Sequence, residues 1–213
     1  MWYNDGKHHR KGNAMKILVT AFEPFGGSSR NSSLETLRSL PDTTPGGHRI
    51  VKAEIPVEYD RCGTVLREAA AYHTPDAVVC LGQAEGRSKV TPEYIAVNVK
   101  NSTSPDNGGR IYRFAPIEEN APDGIFTTLP AQEMTAKMQE AGIPAAVSFT
   151  AGTYVCNTLM YCALRIASPL SIPAGFIHLP LSSEIAAAEH KTSPVLPQDT
   201  LTQGILLCLD CLG

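Results

Sequence analysis

A three-layer α/β/α sandwich around a mixed, largely parallel sheet is what this sequence predicts. Short apolar runs alternate with amphipathic segments from one end of the chain to the other. The run Ala77 to Leu81 is continuously apolar, as a strand covered on both faces must be. With 213 residues, 43% hydrophobic and 18% charged, the chain can bury one sizeable core, and we read residues 15–213 as a single domain.

The elements follow in order. Lys16 to Ala21 is a compact apolar first strand, leading into the turn-rich, aromatic loop Phe22-Glu23-Pro24-Phe25-Gly26-Gly27. Ser32 and Glu35 have capping-box spacing and open a helix to about Leu40, before Pro41. Arg49 to Val57 is a second strand. Asp60 can cap a helix to about Tyr72 with Val65, Leu66 and Ala69 inward. After Ala77 to Leu81 comes the loop Gly82-Gln83-Ala84-Glu85-Gly86-Arg87, then an extended stretch from Val90 to Val99. Residues 100–124 are rich in Asn, Asp, Pro and Gly around one apolar knot, Ile111 to Phe114; so long a loop is functional or carries a small hairpin. Thr128, Pro130 and Gly142 bracket a helix with Met134, Met138 and Ala141 inward. Ala145 to Phe149 reads as a buried strand. A helix begins near Cys156, with Val155, Leu159, Cys162, Ala163 and Ile166 at helical spacing. Ala174 to His178 is another buried strand, Ser182 to Gln198 is loop-like, and Thr200 to Leu212 closes the fold as an amphipathic helix.

Composition excludes several function classes. A net charge of −3 offers no basic surface for nucleic acid, and no apolar run approaches the length of a membrane span. The six cysteines, Cys62, Cys80, Cys156, Cys162, Cys208 and Cys211, are scattered through apparent strands and helices, unlike a disulfide framework. With no secretory signal, this reads as a reduced, cytoplasmic protein. Residues 1–14 are a polar extension without periodicity, ahead of a natural-looking start at Met15. They read as disordered, a misassigned start or an expression remnant, and His8-His9 as surface residues.

The chemistry gathers at strand ends. Open α/β sheets bind ligands beyond the carboxyl ends of their strands. The Phe-rich loop, the Gly82–Arg87 loop, Cys156 and His178 all fall there. A cysteine at a strand–loop–helix junction meets outward-pointing N–H groups and the positive end of the helix dipole. That setting favours thiolate and supplies oxyanion donors. His178, at the end of the next strand, is a candidate base for Cys156. Glu93 is the candidate that orients the ring, because it opens an apolar run and would be costly if buried unpaired. Each also has an ordinary reading: a buried core thiol, a satisfied core histidine, a solvent-facing edge glutamate. Cys208-Leu209-Asp210-Cys211 lies in an apolar helix and reads as core packing. Gly82-Gln83-Ala84-Glu85-Gly86 is not a dinucleotide fingerprint. His48, His73 and His190 read as surface residues.

Four motifs make the reading specific: FEPFGGSSRNSS after the first strand, GQAEGRSKVTPEYIAVN, SFTAGTYVCN and GFIHLP. In this order, and over nearly all of residues 15–213, the chain resembles pyroglutamyl peptidase type I (pyrrolidone-carboxylate peptidase), a family of cytoplasmic cysteine peptidases. The resemblance implies a Cys–His–Glu triad at Cys156, His178 and Glu93. It also implies removal of an N-terminal pyroglutamyl residue from peptides through a thioester, with no metal and no organic cofactor, often by a homotetramer. It implies that Phe25 and Tyr154 flank the lactam ring and that Phe22, Asn31, Gln83 and Val155 shape or orient the pocket. A neutral lactam suits aromatic walls and main-chain hydrogen bonds. The chain departs from the family pattern at Tyr94, where a basic residue usually follows the triad glutamate, at Glu85 (usually glycine), at Ser32 (usually proline) and at Thr158 (often histidine). The alternatives are a silent relative that binds pyroglutamyl peptides and an amidase for another small lactam or amide on the same scaffold.

Overall fold

The computed structural model describes residues 14–213; the His8-His9 pair and the rest of the extension before Ala14 lie outside them. Strands β1 (Lys16–Phe22), β2 (Arg49–Ile55) and β3 (Ala77–Gln83) pair in parallel, and β3 pairs in parallel with a later strand, Ala174–Leu179. Between them in the chain lie β4 (Thr91–Pro92), β5 (Ile95–Val97) and β6 (Gly124–Phe126), so Ala174–Leu179 is β7. The sheet order is β2-β1-β3-β7-β4, with β4 antiparallel to β7.

Strand alternation sorts side chains to two faces. Ile17, Val19 and Ala21 of β1, with Val79, Leu81, Ile177 and Leu179, face one core. It is covered by α1 (Ser32–Ser39), α3 (Ala131–Glu140) and α6 (Gln198–Leu209). Leu18 and Phe22, with Val78, Cys80, Ala174 and Phe176, face the other core, covered by α2 (Cys62–His73) and α4 (Val155–Ala167). These layers are the three that sequence predicts. The segment 181–196, read as loop, instead carries β8 (Leu181–Ser182) paired with β9 (Val195–Leu196) and α5 (Ser183–Ala188), capped by the Ser182 hydroxyl.

Local differences have local causes. The cap of α1 is Asn31, whose side chain accepts from Ser33 N; Ser32 instead donates to Pro180 O and Glu35 pairs with Arg30. Asp60 does not cap α2; its carboxylate takes the Tyr112 hydroxyl. The stretch 90–99 is broken: β4 joins the main sheet, and β5 forms a separate hairpin-like pair with β6. Residues 145–148 form only isolated bridges, Val90↔Ala145 and Glu93↔Ser148, and Phe149 is exposed where a buried strand residue was expected. Ala141 faces solvent past the end of α3. His48 is buried rather than on the surface, its Nδ1 accepting from Met15 N. Cys208 is packed in the core, as its apolar helix implied. No helix among the described residues is long and apolar enough to cross a membrane.

Candidate active site

Parallel strands end together, so β1, β3 and β7 deliver their following loops to one edge of the sheet. In the register, Gly82 of β3 lies opposite His178 of β7. His178 sits two residues beyond Phe176, on the same face, with the two rings 4.7 Å apart. That face is the one α4 covers. Cys156 is the second residue of α4, which starts at Val155 because the Thr150–Tyr154 turn redirects the chain. At Gly152 this turn runs at φ +79, a conformation that suits glycine. The Cys156 sulfur comes down over Gly82, 3.4 Å from where a Cβ would stand. The same Cβ would be 2.6 Å from Phe176 Cζ, so only glycine leaves room for both. The sulfur and the imidazole thus occupy neighbouring places on one face of the strand pair.

Glu93 reaches His178 from the far side. Its residue follows β4, and its amide donates to Phe176 O at 2.9 Å. Its side chain is fully buried, and Oε1 lies 2.7 Å from His178 Nδ1. A carboxylate only accepts, so Nδ1 carries the proton and Nε2 keeps its lone pair. Burial drives the ring's pKa down, against the opposing pull of Glu93; Arg87 adds to the lowering.

The thiol differs from expectation. Burial pushes Cys156 up to about 12, and the negative charge of Glu93 adds to this. Arg87 and the helix-start N–H act in the opposite direction, as the dipole argument anticipates, but they are outweighed. Burial therefore disfavours both the thiolate and the imidazolium.

Sequence reasoning missed Arg87. Its Nη1 lies 2.6 Å from Glu93 Oε1 and also donates to the Thr91 hydroxyl, while Nη2 reaches Thr150 O at 3.2 Å. The available signal was the cost of burying Glu93, which demanded a cation. Tyr94, where a basic residue was expected, points instead to an aromatic cluster with Phe126 and Phe149.

The residues assigned by resemblance separate into two groups. Phe25 and Tyr154 line one open pocket of about 450 Å³, together with Asn101 to Pro105, Gly26 and Thr153. Tyr154 is held there by its hydroxyl on Pro105 O at 2.9 Å and by edge contact with Tyr59. Residues 101–105 belong to the long loop 100–124 that the sequence marked as functional or hairpin-bearing, though none of them was named there as a pocket residue. The other four residues are buried and do not line this pocket. Phe22 is buried beside Phe176, and Val155 is fully buried in the α2/α4 core. Asn31 Nδ2 donates to Glu23 O, and Gln83 Oε1 accepts from Ser32 N. Among the described residues no group of three or more His, Cys, Asp and Glu side chains is placed to hold a metal ion.

Comparison with known proteins matches this architecture. Residues 15–212 match the family model described as pyroglutamyl peptidase. The pyrrolidone-carboxylate peptidase of Streptococcus suis is 46% identical over 172 residues, 80% of each chain. That of Thermococcus kodakarensis is 42% identical over 197 residues, 92% of this chain and 94% of the relative. Among solved structures, pyroglutamyl peptidase I from Bacillus amyloliquefaciens superposes with a TM-score of 0.89 at 36% identity, covering 93% of this chain and 95% of that one. Pyrrolidone carboxyl peptidase from Thermococcus litoralis gives 0.88 at 31% identity, covering 93% of both. The chain belongs to the pyroglutamyl peptidase family and is a hydrolase of the pyroglutamyl-peptidase I class.

Proposed function

We propose that this chain releases N-terminal pyroglutamate from peptides, with Cys156 as nucleophile, His178 as base and then acid, and Glu93 as the group that orients the ring. The observation that carries the reading is a fully buried Glu93 held 2.7 Å from His178 Nδ1, with the Cys156 sulfur over Gly82, the residue opposite His178 in the register. A buried carboxylate on an imidazole is costly unless it is used to fix tautomer and orientation.

The steps run on side chains and backbone. The pyroglutamyl ring enters between Phe25 and Tyr154. His178 Nε2 takes the thiol proton as the Cys156 sulfur attacks the scissile carbonyl. Burial disfavours a free thiolate, so proton transfer accompanies attack. Backbone N–H groups at the start of α4 face the oxyanion. The C–N bond then breaks, the imidazolium protonates the leaving amine, and a thioester remains. Water attacks it with His178 again as base, and pyroglutamic acid leaves with the thiol restored.

Pyroglutamyl p-nitroanilide tests this directly. Turnover by the native chain and none by Cys156→Ala is expected. Binding of a pyroglutamyl peptide without turnover would instead make the chain a silent relative. Turnover that persists in Cys156→Ala would remove the cysteine from the chemistry.

A further inference from the structure

We infer that Arg87 is the positioning residue of this site: its guanidinium compensates the buried Glu93 carboxylate and ties it to the loop that carries Cys156. This rests on the triad reading above and adds a fourth member to it. The Glu93 side chain has no solvent exposure, and its Oε2 has no hydrogen-bond partner. All the support for this carboxylate therefore converges on Oε1, which takes both His178 Nδ1 and Arg87 Nη1. Without the guanidinium, a buried negative charge would be held by an imidazole alone.

The second contact gives Arg87 a reach the other residues lack. Nη2 donates to Thr150 O, a carbonyl that also accepts the Ser148 hydroxyl, at the start of the turn leading to Tyr154 and Cys156. One planar fork therefore bridges the acid and the nucleophile's loop. A lysine, with a single charged centre, can face Glu93 but cannot hold that fork geometry. Arg87 comes from the loop after β3, six residues before Glu93. The cation beside the acid thus arrives from upstream in a chain that has Tyr94 immediately downstream.

The sign of the pH effect follows from the groups around the ring. The charged groups acting on His178 are Glu93, from the segment after β4, and Arg87, from the loop after β3; the Cys156 thiol at the start of α4 lies over Gly82, the residue opposite His178 in the register. Glu93 favours imidazolium, whereas Arg87 opposes it. Removing the Arg87 charge lets His178 hold a proton to higher pH. The base is then blocked over a wider acid range.

The test compares Arg87→Met, Arg87→Lys and the native chain in two assays. The first is the pH profile of kcat/KM on pyroglutamyl p-nitroanilide. For Arg87→Met we expect the acid limb to move to higher pH and kcat to fall at least about tenfold, with KM changing less. For Arg87→Lys the acid limb should return toward its native position while kcat stays reduced. The second assay needs no turnover: His178 is titrated by NMR in Cys156→Ala, with and without Arg87→Met, and its midpoint should rise when Arg87 is lost. An acid limb and a midpoint that stay in place or move down would overturn the inference, leaving Arg87 a role in folding alone. If the native chain shows no turnover, the functional reading fails while the titration still decides the role of Arg87. If Arg87→Met does not fold, Arg87→Lys and Arg87→Gln in the same titration carry the comparison, one retaining the charge and one removing it.

Discussion

Replacing Gly82 by alanine perturbs the site by one methyl group at its most crowded point. The new Cβ would stand 2.6 Å from Cζ and 3.0 Å from Cε1 of Phe176, and 3.4 Å from the Cys156 sulfur. Ordinary contact begins near 3.4 Å, so the Phe176 ring must recede by about 0.8 Å in a tightly packed interior. It has little freedom to do so. Phe22 lies on it at 6.3 Å between centroids and His178 at 4.7 Å, so part of the displacement passes to the imidazole. Overpacking of this kind costs about 1–3 kcal/mol. For a chain of this length that lowers the melting temperature by roughly 2–12 °C. The catalytic effect is larger, because a misplacement of about 1 Å between reacting groups costs on the order of 100-fold in rate. The assay is kcat on pyroglutamyl p-nitroanilide, well below the variant's melting temperature, alongside a thermal melt. The double variant Gly82→Ala/Phe176→Leu, which removes the clashing ring atoms, should regain stability. A Gly82→Ala enzyme that melts lower yet keeps kcat within about threefold of native would refute the idea that sulfur and imidazole meet over this glycine.

Glu93→Gln should lower kcat by about 100-fold or more while moving KM little, because it removes the charge that stabilises the imidazolium and lets an amide donor face Nδ1, so the ring's tautomer is no longer fixed. Steady-state kinetics at several pH values checks this, and a variant altered only in KM would take Glu93 out of the triad. Alkylation of Cys156 by iodoacetamide should accelerate by about tenfold per pH unit through neutrality, because burial pushes the thiol up to about 12. A rate that has already levelled off near pH 7 would mean a preformed thiolate. Phe25→Ala should raise KM for the pyroglutamyl substrate by about tenfold with a smaller change in kcat. Equal KM values would place the lactam elsewhere than in the pocket with Tyr154.

What the sequence made legible depended on the range of the interactions. Strand β3 announced itself because both of its faces are buried, leaving no polar residue from Ala77 to Gly82. Helix α4 was equally plain, since Val155, Leu159 and Ala163 all fall on the face that packs against the sheet. Their order then pointed Cys156 and His178 to one edge, and Glu93 was named from the cost of burying it in an apolar run. The failures lie where a short polar residue had several partners to choose from. Ser32 and Asp60 have good capping spacing, yet each makes a long-range contact instead, with Pro180 O and the Tyr112 hydroxyl respectively. Their neighbours Asn31 and Arg61 occupy the cap positions. Arg87 was hidden for the same reason: its partners Glu93 and Thr150 lie 6 and 63 residues away, and no local pattern links the three. A helix start is visible in sequence, whereas the desolvation that opposes it at Cys156 is a property of the packed site.

The two amides assigned to the pocket by resemblance, Asn31 and Gln83, have a role that can be separated from substrate contact. Asn31 accepts from Ser33 N at 2.9 Å and from the Ser33 hydroxyl at 2.7 Å, and donates to Glu23 O at 3.0 Å. Gln83 Oε1 accepts from Ser32 N at 2.8 Å. Together they fasten the start of α1 to the end of β3 and to the loop that presents Phe25. Gln83→Ala leaves the Ser32 N–H buried without an acceptor and should cost about 1–3 kcal/mol of stability. Gln83→Glu keeps an acceptor and places a negative charge at a helix N-terminus, where it is favoured. If Gln83 serves the scaffold, this variant keeps a near-native KM, and its melting temperature falls only by the cost of burying the new charge. If the Gln83 amide instead reads the lactam, Gln83→Glu melts at the same temperature as in the first case but loses substrate affinity, because the donor is gone. A thermal melt paired with KM therefore distinguishes a residue that builds the pocket from one that touches its contents.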